Sequence, residues 1–523
     1  MAFQLLSGAI SSSIVAFASL IIYRLKFHPL SKFPGPRLAA ATYWYEAYYD
    51  LVHKGGSQYT SKIQELHAEY GPIVRINPEE VSVDDAEFHD VLYASQSAIR
   101  DKHPRFSSLL GTTGGSWSTV DHHLHRNRRA AYNPFFSSAN VSASETLIAK
   151  KLNHMCDLLW ARRRDSLDLG TYFAALSFDS VYTCAFGTSL DLLDNLPFAS
   201  HWYHIINTLA TSAPLPRFFP SLVRYARKVP STILRRLSHH IARLFDLQSM
   251  ILQEAERCVA NEHLQPSSEH DNKHNLNRQA EPETLFSVIR RSKMPGEEKS
   301  PSRMSQEGTE IFIASFTPAN TMLLGMYYLY SNPDVLDTLR MELDQVNPDP
   351  WADVKFKTLN SLPYLRAVTK EILRITFPLG SRLPMVCRED IEFGNWKIPS
   401  QTPMSANHRN LLFDPTVFTE PYKFKPERWL DEEKPIDEKR YFIAFGQGGR
   451  ACPAKEFGTQ LMQMTLTTLV RRYEFKIVDT IWERDVAVSR SSLLAAPSFE
   501  SKGVKLSLVG AREHGRKQVS YAH

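Results

Sequence analysis

The sequence predicts a large, mainly α-helical body with a small β region, preceded by one N-terminal helix able to cross a membrane. Three observations carry this expectation. From Phe3 to Tyr23 there is no charged side chain, and Ile10, Ile14, Val15, Phe17, Leu20, Ile21 and Ile22 dominate; about 20 such residues span a bilayer as a helix. Much of the remainder repeats its apolar residues with helical spacing. The alternating segments are short and lie near the start and the end of the body.

Taken in order, the apolar run is followed at once by Arg24, Lys26, Lys32 and Arg37, and no Lys or Arg precedes it. This bias orients the body toward the cytosol. A cleaved signal peptide would want a basic start and a shorter apolar core. Residues 1–26 are therefore expected to be a membrane anchor and 27–523 a single body. Pro29, Pro34 and Pro36 make a stiff, non-helical exit. The sequon Asn140-Val-Ser should stay unmodified because it would face the cytosol. Ile73-Val-Arg-Ile-Asn77 and Glu80-Val-Ser-Val83 alternate around Asn77-Pro78 and predict a hairpin. Helical patterns occupy Ser144–Leu159, Ile233–Cys258 and Gln306–Leu329. The polar stretch Glu262–Pro282 is expected to be a mobile loop. A strand pair near Val504–Leu508 would close the carboxyl end.

Composition excludes some functions. The 523 residues show no repeat and no clear linker, and 43% hydrophobic content suffices for a large core. A net charge of +5 argues neither for nor against nucleic acid, but with no long basic run interleaved with aromatics nucleic acid is set aside as a partner. The five cysteines (Cys156, Cys184, Cys258, Cys387, Cys452) are scattered, odd in number and without a Cys-x-x-Cys pair. That fits a reducing compartment without a disulfide framework. Asp121-His122-His123-Leu-His125 is not a metal cluster, since consecutive histidines on a helix do not converge on one ion.

The most informative stretch is Phe445-Gly-Gln-Gly448-Gly-Arg450-Ala-Cys452. Glycines let the backbone turn tightly and pass close to a flat cofactor. A cysteine in such a loop can be held as thiolate by backbone N–H groups and serve as axial ligand of a haem iron. Arg450 is a permanent cation suited to a haem propionate.

Phe-x-x-Gly-x-Arg-x-Cys resembles the haem loop of cytochrome P-450 monooxygenases. Glu371-Ile-Leu-Arg374 is similar to the Glu-x-x-Arg of that family's K helix, and Phe424-Lys-Pro426-Glu427-Arg428-Trp429 to its Pro-Glu-Arg segment. Segments Phe27–Pro36, Glu65–Pro78 and His125–Ser137 resemble filamentous-fungal members of the trichodiene oxygenase kind.

The resemblance implies the mainly-α haem-thiolate fold with a small β region. It implies haem b with Cys452 as iron ligand, Phe445 against the sulfur and Gly448 in the turn. Arg450, Arg129 and His125 (where the family has a tryptophan) would meet the propionates. Met385 stands where many members have a propionate-binding arginine, which shifts that task toward Arg129, Arg450 and Arg382. Ala444 and Ala454 replace the usual proline and glycine. Glu371, Arg374 and Arg428 would form a buried ion network bracing the haem loop. On the distal helix Thr317 aligns with the proton-delivering threonine, Phe316 stands at the acid, and Pro318 at the second threonine. A kink is expected there, with Ser315 or Asn320 helping to hold a relay water. Arg126, Arg128, Lys439, Arg440 and Lys455 would face an acidic reductase.

The activity so implied is NADPH- and reductase-dependent hydroxylation, epoxidation or desaturation of a small lipophilic metabolite, such as a terpenoid or polyketide, at the endoplasmic reticulum membrane. The displaced acid motivates a rival within the same fold: rearrangement, dehydration or oxidative cyclisation. A non-catalytic haem-binding or sensor protein is the second rival.

Overall fold

The computed structural model describes residues 2–93, 98–164, 167–211, 214–219, 239–264 and 283–512, together with positions 221, 225, 229, 233 and 236. Helix α1 (Ala2–Ile22) is the uncharged run, and a wide helical turn, Tyr23–Phe27, continues it. None of the span Ser7–Phe27 is fully buried against the body, and most of its apolar side chains are exposed. The chain then leaves through the short 3-10 turn Pro29–Lys32. Buried Arg75 ties this exit down: its guanidinium donates to the carbonyls of Arg24 (2.9 Å), Leu30 (3.3 Å) and Pro78 (2.7 Å).

The hairpin forms as expected, with β1 (Ile73–Arg75) antiparallel to β2 (Val81–Val83). Three further strands extend it: β3 (Arg100–Lys102), β4 (Met385–Cys387) and β5 (Pro403–Ala406). The sheet order is β1-β2-β5-β4-β3, with β2 and β5 parallel and the other pairs antiparallel. At the carboxyl end β6 (Tyr473–Ile477) pairs antiparallel with β7 (Leu506–Ala511), with a register shift between Leu508 and Gly510.

Helices make up most of the body. The pattern over Ser144–Leu159 becomes the helix Glu145–Ala161. The predicted helix at Ile233–Cys258 appears as His239–Leu264, so three residues assigned to the polar loop continue it; residues 265–282 of that loop lie outside the described residues. Helix α2 (His122–Tyr132) starts where the Asp121 carboxylate accepts from the N–H of Leu124 at 2.7 Å. Helix α3 (Leu169–Phe186) is apolar almost all round and runs through the core.

The helical stretch over Gln306–Leu329 carries the expected break: it is two helices, α4 (Pro301–Ala314) and α5 (Phe316–Ser331), joined at Ser315. Pro318 has no N–H to give to the carbonyl of Ala314 four residues earlier. The hydroxyl of Thr317 takes that place, donating to the Ala314 carbonyl at 2.8 Å. The Ser315 hydroxyl donates to the Phe312 carbonyl, and the Ser315 carbonyl accepts from Ser177 on α3 at 2.6 Å.

Helix α6 (Pro363–Thr376) carries Glu371 and Arg374, both fully buried. The Glu371 carboxylate accepts from Arg374 Nε (2.9 Å) and Nη2 (2.8 Å), Arg428 Nε (3.2 Å), Trp429 Nε1 (2.9 Å) and the Lys425 N–H (3.1 Å). Arg374 also donates to the Leu412 carbonyl, and Arg428 to the Thr419 carbonyl. Helix α7 (Lys455–Arg472) follows directly on the cysteine loop and packs into the main core.

Replacing Glu371 by Gln would leave two buried guanidinium groups without their counter-charge. Breaking a buried pair in this way costs about 3–5 kcal/mol. Chemical denaturation of Glu371→Gln should show a loss of that size.

Candidate active site

The cysteine loop is closed by backbone hydrogen bonds: Gly446 N–H to the Ile443 carbonyl (2.8 Å), Ala451 N–H to Gly448 (3.2 Å) and Cys452 N–H to Phe445 (2.8 Å). Gly446 and Gly448 sit at φ 69° and 67°, where a side chain would be strained. Ala454 sits at φ −90°, so the alanine in place of the usual glycine is accommodated without strain. An aromatic chain links the loop to the Glu371 network: Trp429 meets Phe442 edge-on at 5.5 Å, and Phe442 meets Phe445 at 6.4 Å.

Cys452 opens on a cavity of about 770 Å³ between this loop and the break in the distal helix pair, toward the upper end of the range of about 300–1,000 Å³ for small-molecule and cofactor sites. The thiol is reachable from the cavity and enclosed by protein on its other sides. Burial pushes the thiol up; the N–H of Ala454 and the charges of Arg129 and Lys455 pull the other way. Phe445, Ala444, Thr317, Ser315, Pro318 and Met385 share the lining.

Among the described residues five basic side chains line the same cavity, and four of them lie close to one another: Lys102, His125, Arg129 and Arg450, with His408 apart. Arg450 donates to the Thr119 and Val120 carbonyls, each at 2.9 Å, yet its buried Nε has no partner among the described residues. Burial lowers its pKa to about 10. Burial, with Arg450, Arg129 and Lys102 adding to it, pushes His125 down to about 2, so the ring is neutral at physiological pH. Lys102, fully buried, is pushed well down by burial and then by Arg450. Glu310 acts on Lys102, and Asp101 and Asp121 on Arg450, yet Arg450 keeps its unpartnered Nε beside Arg129 and the His125 ring, a grouping that favours an anionic ligand. The apolar remainder of the wall favours a flat apolar one. The residues fit haem b, with its propionates at the basic end.

Sequence reasoning missed Lys102. It stands on a short strand whose pattern carries no signal, and only the pairing of β3 with β4 brings it to the cavity.

Several expected residues are elsewhere. Arg382 does not reach the cavity: its Nη2 pairs with Glu46 at 2.6 Å and its Nε with Glu80 at 2.8 Å, all three buried. Those carboxylates lie 336 and 302 residues away in the chain, so local sequence gave no warning. Asn320 also turns away, its Oδ1 facing the Tyr203 hydroxyl at 3.5 Å. Phe316, at the acid's place, is core: it stacks on Tyr203 at 4.8 Å. Of the proposed docking cations, Arg128 is committed to Glu298 in a bidentate pair (2.8 and 2.6 Å) and Arg440 to Asp90 (3.2 Å). Arg126, Lys439 and Lys455 are exposed.

The sequence profile of the cytochrome P-450 family matches residues 43–498. The chain belongs to the cytochrome P-450 family. It is 34% identical to a cytochrome P-450 monooxygenase of Ascocoryne sarcoides over 94% of this chain and 96% of that one. It is 33% identical to the tryptophan 6-hydroxylase of Fusarium equiseti (94% of each chain) and 33% identical to the fusicoccadiene C-8 hydroxylase of Alternaria brassicicola (93% of each). Like other cytochrome P-450 proteins it is a haem-thiolate monooxygenase of mainly-α fold, and the three relatives named are fungal enzymes.

Substituting Arg450 by Gln removes the buried cation with the unpartnered Nε. Haem retained per polypeptide, read as the ratio of Soret to protein absorbance, should fall several-fold, while the secondary structure seen by circular dichroism stays unchanged.

Proposed function

We propose that the protein is a membrane-anchored cytochrome P-450 monooxygenase that oxidises a small lipophilic metabolite, a terpenoid or polyketide in class, with electrons from NADPH delivered by a reductase. The observation that carries this reading is Cys452 facing a mostly apolar cavity whose one end is basic. Cys452 is the iron ligand, and Arg129, Arg450, His125 and Lys102 hold the propionates. Bound haem supplies the activation of dioxygen. Phe445, Gly446 and Gly448 shape the loop, and the N–H of Ala454 steadies the sulfur as thiolate. Apolar walls exclude bulk water and hold the substrate by burial. Thr317 donates to the Ala314 carbonyl, which leaves its oxygen lone pairs to accept a proton-bearing water on the cavity side. Phe316 offers no carboxylate, so the threonine and the helix break carry that task.

Residues 1–26 anchor the body, 27–523, on the cytosolic face of the endoplasmic reticulum. The bare apolar helix and the basic residues at its exit support this. The Asn140 amide supports the same topology, being committed to the carbonyls of Phe135 (2.8 Å) and Glu283 (3.1 Å). Arg126, Lys439 and Lys455 remain as cations for reductase encounter.

The reduced, carbon-monoxide-bound protein should show the red-shifted Soret band of a thiolate-ligated haem. Cys452→Ser should lose it and Cys387→Ser should keep it; a serine variant that retained it would overturn the assignment. Product formation should require NADPH and a reductase. Turnover without either would favour the rearrangement reading, which the missing acid at Phe316 motivates.

Thr317→Val keeps the shape and removes the hydroxyl. It should uncouple turnover, with NADPH consumed and peroxide released. Asn320→Ala, facing Tyr203, should leave coupling unchanged.

A further inference from the structure

Segment 111–118, Gly-Thr-Thr-Gly-Gly-Ser-Trp-Ser, crosses α4 without helix or strand of its own. Its backbone N–H groups need partners, and three side chains of α4 supply them. Gln306 Oε1 accepts from the N–H of Thr113 (3.1 Å) and Gly114 (2.7 Å). Glu307 accepts from the N–H of Ser116 (3.0 Å) and from its hydroxyl. Glu310 accepts from the N–H of Trp117 (2.8 Å) and Ser118 (3.2 Å) and from the Thr112 hydroxyl (2.7 Å). Arg303 backs Glu307 at 2.9 Å.

The fit admits no side chain. A Cβ on Gly115 would lie 2.0 Å from the Glu310 carboxyl carbon, and one on Gly114 would lie 2.8 Å from the Gln306 amide nitrogen. So held, the segment presents Ser116 and Trp117 to the cavity, where Glu307 and Glu310 also show. Lys102 donates to the Trp117 carbonyl, and its Nζ sits 3.4 Å from the centre of the indole ring.

We propose that Gln306, Glu307 and Glu310 are positioning residues that latch segment 112–118 in place as a wall of the cavity, and so set the size of molecule that reaches the Cys452 side. The size consequence rests on the cytochrome P-450 reading; the latch itself does not.

The charge balance gives the latch a pH dependence. Burial and then the Glu307 carboxylate push Glu310 up to about 7, against the pull of its donors on the segment. Lys102 and Tyr132, from β3 and α2, are the other titratable groups that feel Glu310. If the segment lifts, water reaches Glu310 and its pKa returns toward about 4.3. The latched form therefore binds the proton more tightly, and the latch loosens as pH rises through about 7.

The test is amide hydrogen exchange, followed by mass spectrometry, on the haem-loaded full chain and on Gln306→Ala, Gly115→Ala and Glu310→Leu. Gln306 is half-exposed, so its replacement leaves the core intact should the buried changes prevent folding. Residues 112–118 should exchange about tenfold faster or more in the variants, the loss expected for one or two hydrogen bonds. The β7 amides at 506–511 should be unaltered. Protection of 112–118, corrected for intrinsic exchange, should fall from pH 6 to pH 8 in the parent and stay level in Glu310→Gln. Association of imidazole and of 4-phenylimidazole with the iron, followed by the Soret shift, reads size selection; the variants should gain rate for the larger probe only. Equal exchange in the parent and every folded variant would overturn the latch. Faster exchange with an unchanged ratio of the two association rates would overturn the size assignment. A parent chain with no Soret response would sink the cytochrome P-450 reading, while exchange alone still decides the latch.

Discussion

The site depends on one buried carboxylate. Glu371 is fully enclosed and accepts five hydrogen bonds from Arg374, Arg428, Trp429 and the Lys425 backbone. A charge removed from water in this way is tolerable only when nearly every lone pair is used. That demand holds helix α6 and the Pro426–Trp429 turn in one geometry. From Trp429 the constraint passes through packed aromatic rings, Phe442 and then Phe445, to the loop that presents Cys452. The thiol is therefore positioned by a rigid chain of contacts that begins about 80 residues earlier in sequence.

Opposite the loop, a proline does the corresponding work. Pro318 breaks what would be a single helix, and the resulting orphan carbonyl at Ala314 is satisfied by Thr317. The break stays small because Ser177 holds the Ser315 carbonyl from α3. Phe316 is then free of any chemical duty and joins the core with Tyr203. The distal wall thus combines the Ser315 and Thr317 hydroxyls at the break with two buried acidic side chains further up α4.

The field inside the cavity is strongly uneven. Lys102, Arg129 and Arg450 gather at one end, and burial, with their charges adding to it, keeps His125 neutral. Glu307 and Glu310 put negative charge beside the 111–118 segment. In a low-dielectric enclosure both groups cost free energy until matched by ligand charge or hydrogen bonds. For the acids the match is the backbone of the segment; at the basic end the buried Nε of Arg450 has no partner among the described residues.

Much of this was legible in the chain. The uncharged first 23 residues, the Phe-x-x-Gly-x-Arg-x-Cys loop and the Glu-x-x-Arg pair are local signals. Each reflects a requirement met within a few residues: helix length, a positive-φ turn, or one face of a helix. The hairpin around Asn77-Pro78 and the break at Pro318 are local for the same reason. By itself, then, the sequence determined the haem-thiolate class, the long apolar N-terminal helix, and Cys452, Arg450 and Thr317 as cavity residues. Tertiary structure alone decided that Arg382 serves Glu46 and Glu80, that Asn320 faces Tyr203, that Lys102 enters the cavity, and that Glu307 and Glu310 grip residues 112–118. Each of these is a choice of partner for a polar side chain, made by segments that meet only on folding, and burial makes the chosen partner obligatory.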